Sequence, residues 1–233
     1  MPCTPIPTAP AVDKDLRIAR FLDLPKFIHL LTSAALHFCR SDLLDDPREL
    51  LTPNEVFNRP YQTKLANMIE ASVRLQVFIS SWHIAEHKTA TMWKAYASNV
   101  AVMSTVGRLV SVLDHSGEDM HYGRVCYHGE LFKGGSYDTN ILSLSKRPNF
   151  EADKEFRAIL WRVNGPPKDP EPPLERGIFV PIDIAGLITE VVVSPFAESW
   201  LTPTLIALLE RLNLGHISVR RSTLFDPPAW FKT

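Results

Sequence analysis

Apolar and polar positions along this chain change period several times, and the changes mark the elements. Leu16 to Leu22 reads as a short strand, and the Asp23 and Pro25 that follow supply an N-cap and a first-turn proline for a helix. Phe27, Leu30 and Leu31 repeat at helical spacing as far as Ser33, and Leu36 to Arg40 is a second strand closed by the aspartate-rich turn 41–47. Arg48 to Tyr61, broken by Pro53 and Pro60, reads as loop, and Leu65 to Leu75 as a helix. Val77 to Trp82 is a strand, and Thr89 to Ala97 is a helix presenting Met92, Trp93 and Tyr96 on one broad face. The continuous apolar run Val100 to Ser104 predicts a buried strand, with a helix over Val106 to Leu113. Further strands are expected at Gly123–His128, Phe156–Val163, Ile178–Ile184, Glu190–Val193 and His216–Leu224, with a last helix over Pro203–Leu212. The five prolines between Asn164 and Gly177 make that tract a surface excursion.

These elements predict an α+β fold, a single domain with a mixed, mostly antiparallel sheet flanked by short helices. Residues 1–15 form a flexible, proline-rich lead-in, 16–225 the domain, and 226–233 a C-terminal tail. A length of 233 residues with 45% hydrophobic and 22% charged positions suits one soluble domain with a sizeable core. The formal charge of -1 gives no overall field toward nucleic acid or an anionic membrane. No apolar run reaches the roughly 18 residues a spanning helix needs, so no membrane association is expected. The N-terminus, with Pro2, Pro5, Pro7 and Pro10 and no apolar stretch behind a basic start, does not read as a secretory signal. Three widely spaced cysteines, Cys3, Cys39 and Cys126, read as free thiols in a reducing compartment, which makes the cytoplasm the expected location.

Candidate chemistry concentrates in two stretches, Ser80 to Tyr96 and Lys146 to Arg157. Asp153 and Glu155 stand two residues apart at the start of a predicted strand, where alternation points both side chains to one face and sends Phe156 to the core. Two carboxylates on one side can stabilise a cationic transition state or shift each other's pKa; the plain alternative is a solvated strand entrance with Arg157 pairing locally. Trp82, Trp93 and Tyr96 can stack on a flat ring such as a base or nicotinamide, although the core is the favoured place for Trp93. Arg20, Lys146 and Arg147 are candidate anion ligands or solvated cations. His83-Ile84-Ala85-Glu86-His87 matches the His-x-x-Glu-His pattern of some zinc peptidases, which requires a helix and a third ligand; because it follows directly on a strand, no metal is predicted. No phosphate loop, dinucleotide-binding glycine turn, Cys-x-x-Cys pair or nucleophile elbow is present.

Several short motifs in order resemble a bacterial family, domain of unknown function twenty-nine seventy-one. They are Arg20-Phe21 with the Leu-Pro-Lys-Phe helix start, Leu36 to Arg40 with its turn, Ser81-Trp82, Met92-Trp93 with Tyr96, and Lys146 to Arg157 ending in Glu-Phe-Arg. Asp183, Leu187-Ile188 and Val191 to Pro195 extend the resemblance over most of the chain. The sequence departs at Asp45-Asp46-Pro47-Arg48, where the family has a phenylalanine and an acid after the proline. The resemblance implies no particular activity.

More distantly, the order of strand, helix and strand, with Arg20, then Ser81 or Tyr96, then Asp153-x-Glu155, resembles ADP-ribosyltransferases. That likeness implies NAD as cofactor and a toxin or defence effector acting on a protein or nucleic-acid acceptor. It gives Arg20 the NAD phosphates or ribose, Tyr96 the nicotinamide ring, and Glu155 the ribose hydroxyl and the oxocarbenium-like transition state. Ser81, Trp82, Lys146 and Arg157 complete the expected nucleotide-binding set. Two other classes stay open: a metal-dependent hydrolase or nuclease using His83, Glu86 and His87, and a non-enzymatic recognition module with an aromatic cleft.

Overall fold

The computed structural model describes residues 2–7, 9–50, 71–85, 90–95, 99–127, 139–162 and 176–227. Its architecture is α+β, a mixed, mostly antiparallel sheet of ten strands with short helices. The strands are β1 (Cys3–Pro5), β2 (Arg17–Leu22), β3 (Ala35–Arg40), β4 (Val77–Ile84), β5 (Val100–Thr105), β6 (Met120–Arg124), β7 (Glu155–Trp161), β8 (Gly177–Pro181), β9 (Glu190–Val193) and β10 (Ser218–Arg221). Contacts divide the chain into two compact units, neither continuous in sequence. The first holds Met1–Val12, Leu36–Ser81 and Leu113–Val180; the second holds Asp13–Ala35, Trp82–Val112 and Pro181–Thr233.

In the first unit β6 lies between β1, which it pairs in parallel, and β7, which it pairs antiparallel with Met120 opposite Leu160. The Val77–Ser81 part of β4 pairs antiparallel with β3, Cys39 opposite Ile79, and β8 pairs with β3 on its other side. Alternation along these strands sends Val77, Ile79 and Ile159 to a core shared with Ile6, Leu50 and Leu144. The start of the N-terminal lead-in is thus an element, since Cys3–Pro5 join the sheet and Cys3 and Ile6 are buried.

In the second unit β2 pairs antiparallel with β5 along its whole length, and β5 pairs antiparallel with β9, Val102 opposite Val191. β10 pairs in parallel with β9, and Ile18 and Ala19 of β2 face Ile84 and His83 of β4. Asp23 caps helix Leu24–Ser33 by accepting from the Lys26 N–H at 2.8 Å, with a proline in the first turn, and Phe27, Leu30 and Leu31 are the residues that helix buries. Helix Val106–Asp114 follows β5 directly, as the period change after Ser104 predicts.

Several elements differ from the sequence expectation, and the closing strand expected over His216–Leu224 is held to Ser218–Arg221. The strand expected over Gly123–His128 is displaced to Met120–Arg124, because fully buried Met120 provides the ladder's apolar start and Cys126 beyond it makes only an isolated bridge to Ser145. The strand expected over Ile178–Ile184 stops at Pro181, and Asp183 then caps a short helix, Ile184–Leu187, by accepting from the Ala185 N–H. β4 runs two residues further than expected, through His83 and Ile84. The expected helix over Leu65–Leu75 and the proline tract after Asn164 fall mostly outside the described residues. Among the described residues no helix is long and apolar enough to cross a membrane.

Candidate functional site

The chain enters β7 through a 3-10 helix, Pro148–Asp153, and a single left-handed residue, Lys154, at φ 42° and ψ 58°. Asp153 therefore lies outside the strand that Glu155 begins, and strand alternation does not place their carboxylates together. The Lys154 turn does so instead. The Lys146 ammonium donates to Asp153 Oδ2 at 2.9 Å and, over a still shorter contact, to Glu155 Oε1. Phe156 goes to the core as expected, and the backbone of Glu155 is held by the Tyr127 hydroxyl, which accepts from its N–H at 2.7 Å.

Arg157 closes the arrangement from below. Its side chain is 1% exposed, and its Nε donates to Glu155 Oε2 at 2.7 Å. The two terminal nitrogens form a fork on Glu49, Nη1 to Oε2 at 3.0 Å and Nη2 to Oε1 at 2.8 Å, and Nη1 also donates to the Ser143 carbonyl at 2.9 Å. The Lys146 ammonium lies 3.7 Å from Glu49 Oε1. Beside it Arg147 forms a second two-pronged pair with Asp46, at 2.9 and 2.7 Å. Lys146 Nζ and the Arg147 guanidinium lie 4.6 and 5.3 Å from the centre of the Phe150 ring.

Charge pairing decides the ionisation of this cluster. Burial pushes the Glu155 carboxyl up, but Arg157 and Lys146 outweigh it and hold the carboxyl at about 2. Burial opposes the charge on Lys146, yet Glu155 and Asp153 raise its pKa well above the ordinary lysine value. Burial likewise raises Asp46, and hydrogen bonds from Arg147 and the Arg48 N–H outweigh it, leaving that carboxyl below the ordinary range. Burial pushes the Tyr127 phenol up, so the hydroxyl stays protonated at neutral pH. Four carboxylates and three cations thus gather here: Glu49, Asp153 and Glu155 are linked through Lys146 and Arg157, and Asp46 pairs with Arg147 beside them.

The sequence reading located Lys146, Asp153, Glu155 and Arg157, and the fold gathers all four. It did not find Asp46, Glu49 or Tyr127. The first two flank Pro47, in a stretch without apolar periodicity. Arg157, expected to bind a nucleotide or pair at the surface, is instead engaged on three sides by protein groups.

The remaining candidates divide between the units. Arg20 and Trp82 belong to the second, where the guanidinium carbon lies 5.9 Å from the Trp82 ring centre. Trp82 is 1% exposed, so its ring faces are taken up by the core and do not offer a stacking platform. Trp93 is core as well, meeting Phe21 edge to face at 4.8 Å. Ser81 is the last residue of β4 assigned to the first unit. Tyr96, Glu86 and His87 lie outside the described residues. His83 is buried within β4, so the pair of histidines cannot share one helix face as the zinc pattern requires. Among the described residues no group of three His, Cys, Asp or Glu side chains is arranged to hold a metal ion. No family model matches the chain, and no curated protein matches it.

Proposed function

We propose that the chain is an NAD-using enzyme of the ADP-ribosyltransferase type, working from the charged cluster at the start of β7. The observation that carries this reading is the meeting of Asp153 and Glu155 on one ammonium, inside a set with one more carboxylate than cation. NAD brings a cationic nicotinamide, and loss of that ring leaves positive charge on the ribosyl carbon. An ionised, rigidly held carboxylate stabilises such charge without reorganising when it forms. Asp153, the most exposed of the four carboxylates, is the group placed to meet ligand first. Glu155 shares the Lys146 ammonium with it. A protein or nucleic acid is the proposed acceptor.

A second reading, a recognition module without turnover, is favoured by one fact. Both oxygens of Glu155 already accept from cations, and its side chain is 7% exposed. In that reading the cluster only shapes a binding face around Lys146, Arg147 and Phe150.

One experiment separates the two. NAD consumption by purified protein is measured with and without a chelator, for wild type, Glu155→Gln and Asp153→Asn. The transferase reading expects chelator-insensitive turnover that falls about 100-fold or more in Glu155→Gln. NAD binding without turnover, unchanged in both variants, supports the recognition module, and an absence of NAD binding removes the transferase.

A further inference from the structure

We infer that Glu49 is a positioning residue: by gripping the terminal nitrogens of Arg157 it fixes the direction in which that guanidinium presents its Nε to Glu155. The inference rests on the transferase reading for its catalytic consequence, though not for its geometry. A guanidinium is a planar fork, so a partner that holds both Nη atoms fixes the direction of the Nε–H bond as well. Here Glu49 holds both, at 3.0 and 2.8 Å, and the Ser143 carbonyl holds Nη1 a second time. Nε then meets Glu155 Oε2 at 2.7 Å. Both Glu49 and Arg157 side chains are 1% exposed, so water does not compete for these bonds.

Among the described residues, several charged or titratable groups surround Glu155. Lys146 and Asp153 lie toward the 3-10 helix, Tyr127 stands at its backbone after β6, and Arg157 lies on its own strand with Glu49 behind it. Asp46 and Arg147 form the adjoining pair. Glu49 directs its side-chain hydrogen bonds to Arg157 and lies 3.7 Å from the Lys146 ammonium, so it acts on Glu155 through its cations.

That arrangement gives a test with a sign. Removing the Glu49 charge while Arg157 keeps its place leaves Glu155 as the carboxylate on that guanidinium, and Glu155 then titrates lower. Removing it so that Arg157 swings away costs Glu155 its strongest cation, and Glu155 titrates higher. The inference requires the second outcome. Full-length wild type and Glu49→Gln, both labelled with ¹³C-glutamate, are titrated by NMR while the Glu155 carboxyl is followed. An upward move of about one unit or more is expected, together with a fall of roughly 10- to 100-fold in kcat for NAD and KM within about twofold.

A Glu155 titration that stays or moves down overturns the inference whether or not the protein turns over NAD. So does an unchanged kcat in an active enzyme. Wild type that binds no NAD removes the transferase reading but leaves the titration to decide the role of Glu49. Glu49→Asp, which keeps the charge and draws the guanidinium back by one methylene, serves if Glu49→Gln does not fold. It is expected to move Glu155 in the same direction by less, and no movement overturns the inference.

Discussion

Arg157 and Glu49, 108 residues apart in the chain, form a two-pronged ion pair in which neither side chain is more than 1% exposed. Removing one member leaves the other charged and buried, which typically costs about 3–5 kcal/mol. Arg157→Met is therefore expected to lower stability by that amount. Urea unfolding checks it: the midpoint should fall by about 1 M or more with an unchanged slope. A loss below about 1 kcal/mol would mean that water reaches the pair.

Acid should act on the same cluster. The Glu155 carboxyl is held at about 2 in the fold, whereas an unfolded glutamate titrates near 4.3. Its contribution is fully present above the unfolded value and disappears as the pH falls from about 5 toward 2, because the unfolded chain takes up the proton first. The amount is on the order of 3 kcal/mol, and Asp46, also lowered, acts in the same direction. Unfolding free energies measured across that window should fall steeply in wild type and less steeply in Glu155→Gln.

Gly177 begins β8 where no side chain fits. A Cβ there would meet the Phe38 carbonyl at 2.7 Å and collide with the His37 ring. Gly177→Ala is expected to destabilise by about 1–3 kcal/mol, since the nearest atom on one side is backbone. A thermal midpoint unchanged within a degree would contradict this packing.

The three thiols should react in order. Burial, followed by Asp114 and Asp119, pushes the Cys3 thiol up to about 12, and Cys126 is buried, while Cys39 is half-buried. Because the thiolate is the reacting form, native protein at pH 8 should label first at Cys39 and last at Cys3. Mass spectrometry of a timed alkylation decides it.

Local signals in the sequence were enough for the elements that depend on neighbours. The valines from 191 to 193 predict β9 at its observed bounds, and Asp23 with Pro25 predicts where the first helix begins. Contacts between distant segments left no such mark. Glu49 lies in a turn with no periodicity, and nothing near it in the chain shows that it will be buried against Arg157. Asp46 stands 101 residues from Arg147 for the same reason. The pairing of Asp153 with Glu155 was legible, but its cause was not: alternation in a strand predicted it, and a turn produces it.

The turn at Lys154 gives the cluster a latch made of backbone. A non-glycine residue held at φ 42° costs about 1–2 kcal/mol, and glycine would relieve that cost. Glycine would also free the peptide that keeps two acids aimed at one lysine. The less comfortable residue is thus the one that keeps the spacing, and a chain relaxed at this single dihedral would gain stability while its carboxylates drifted out of register.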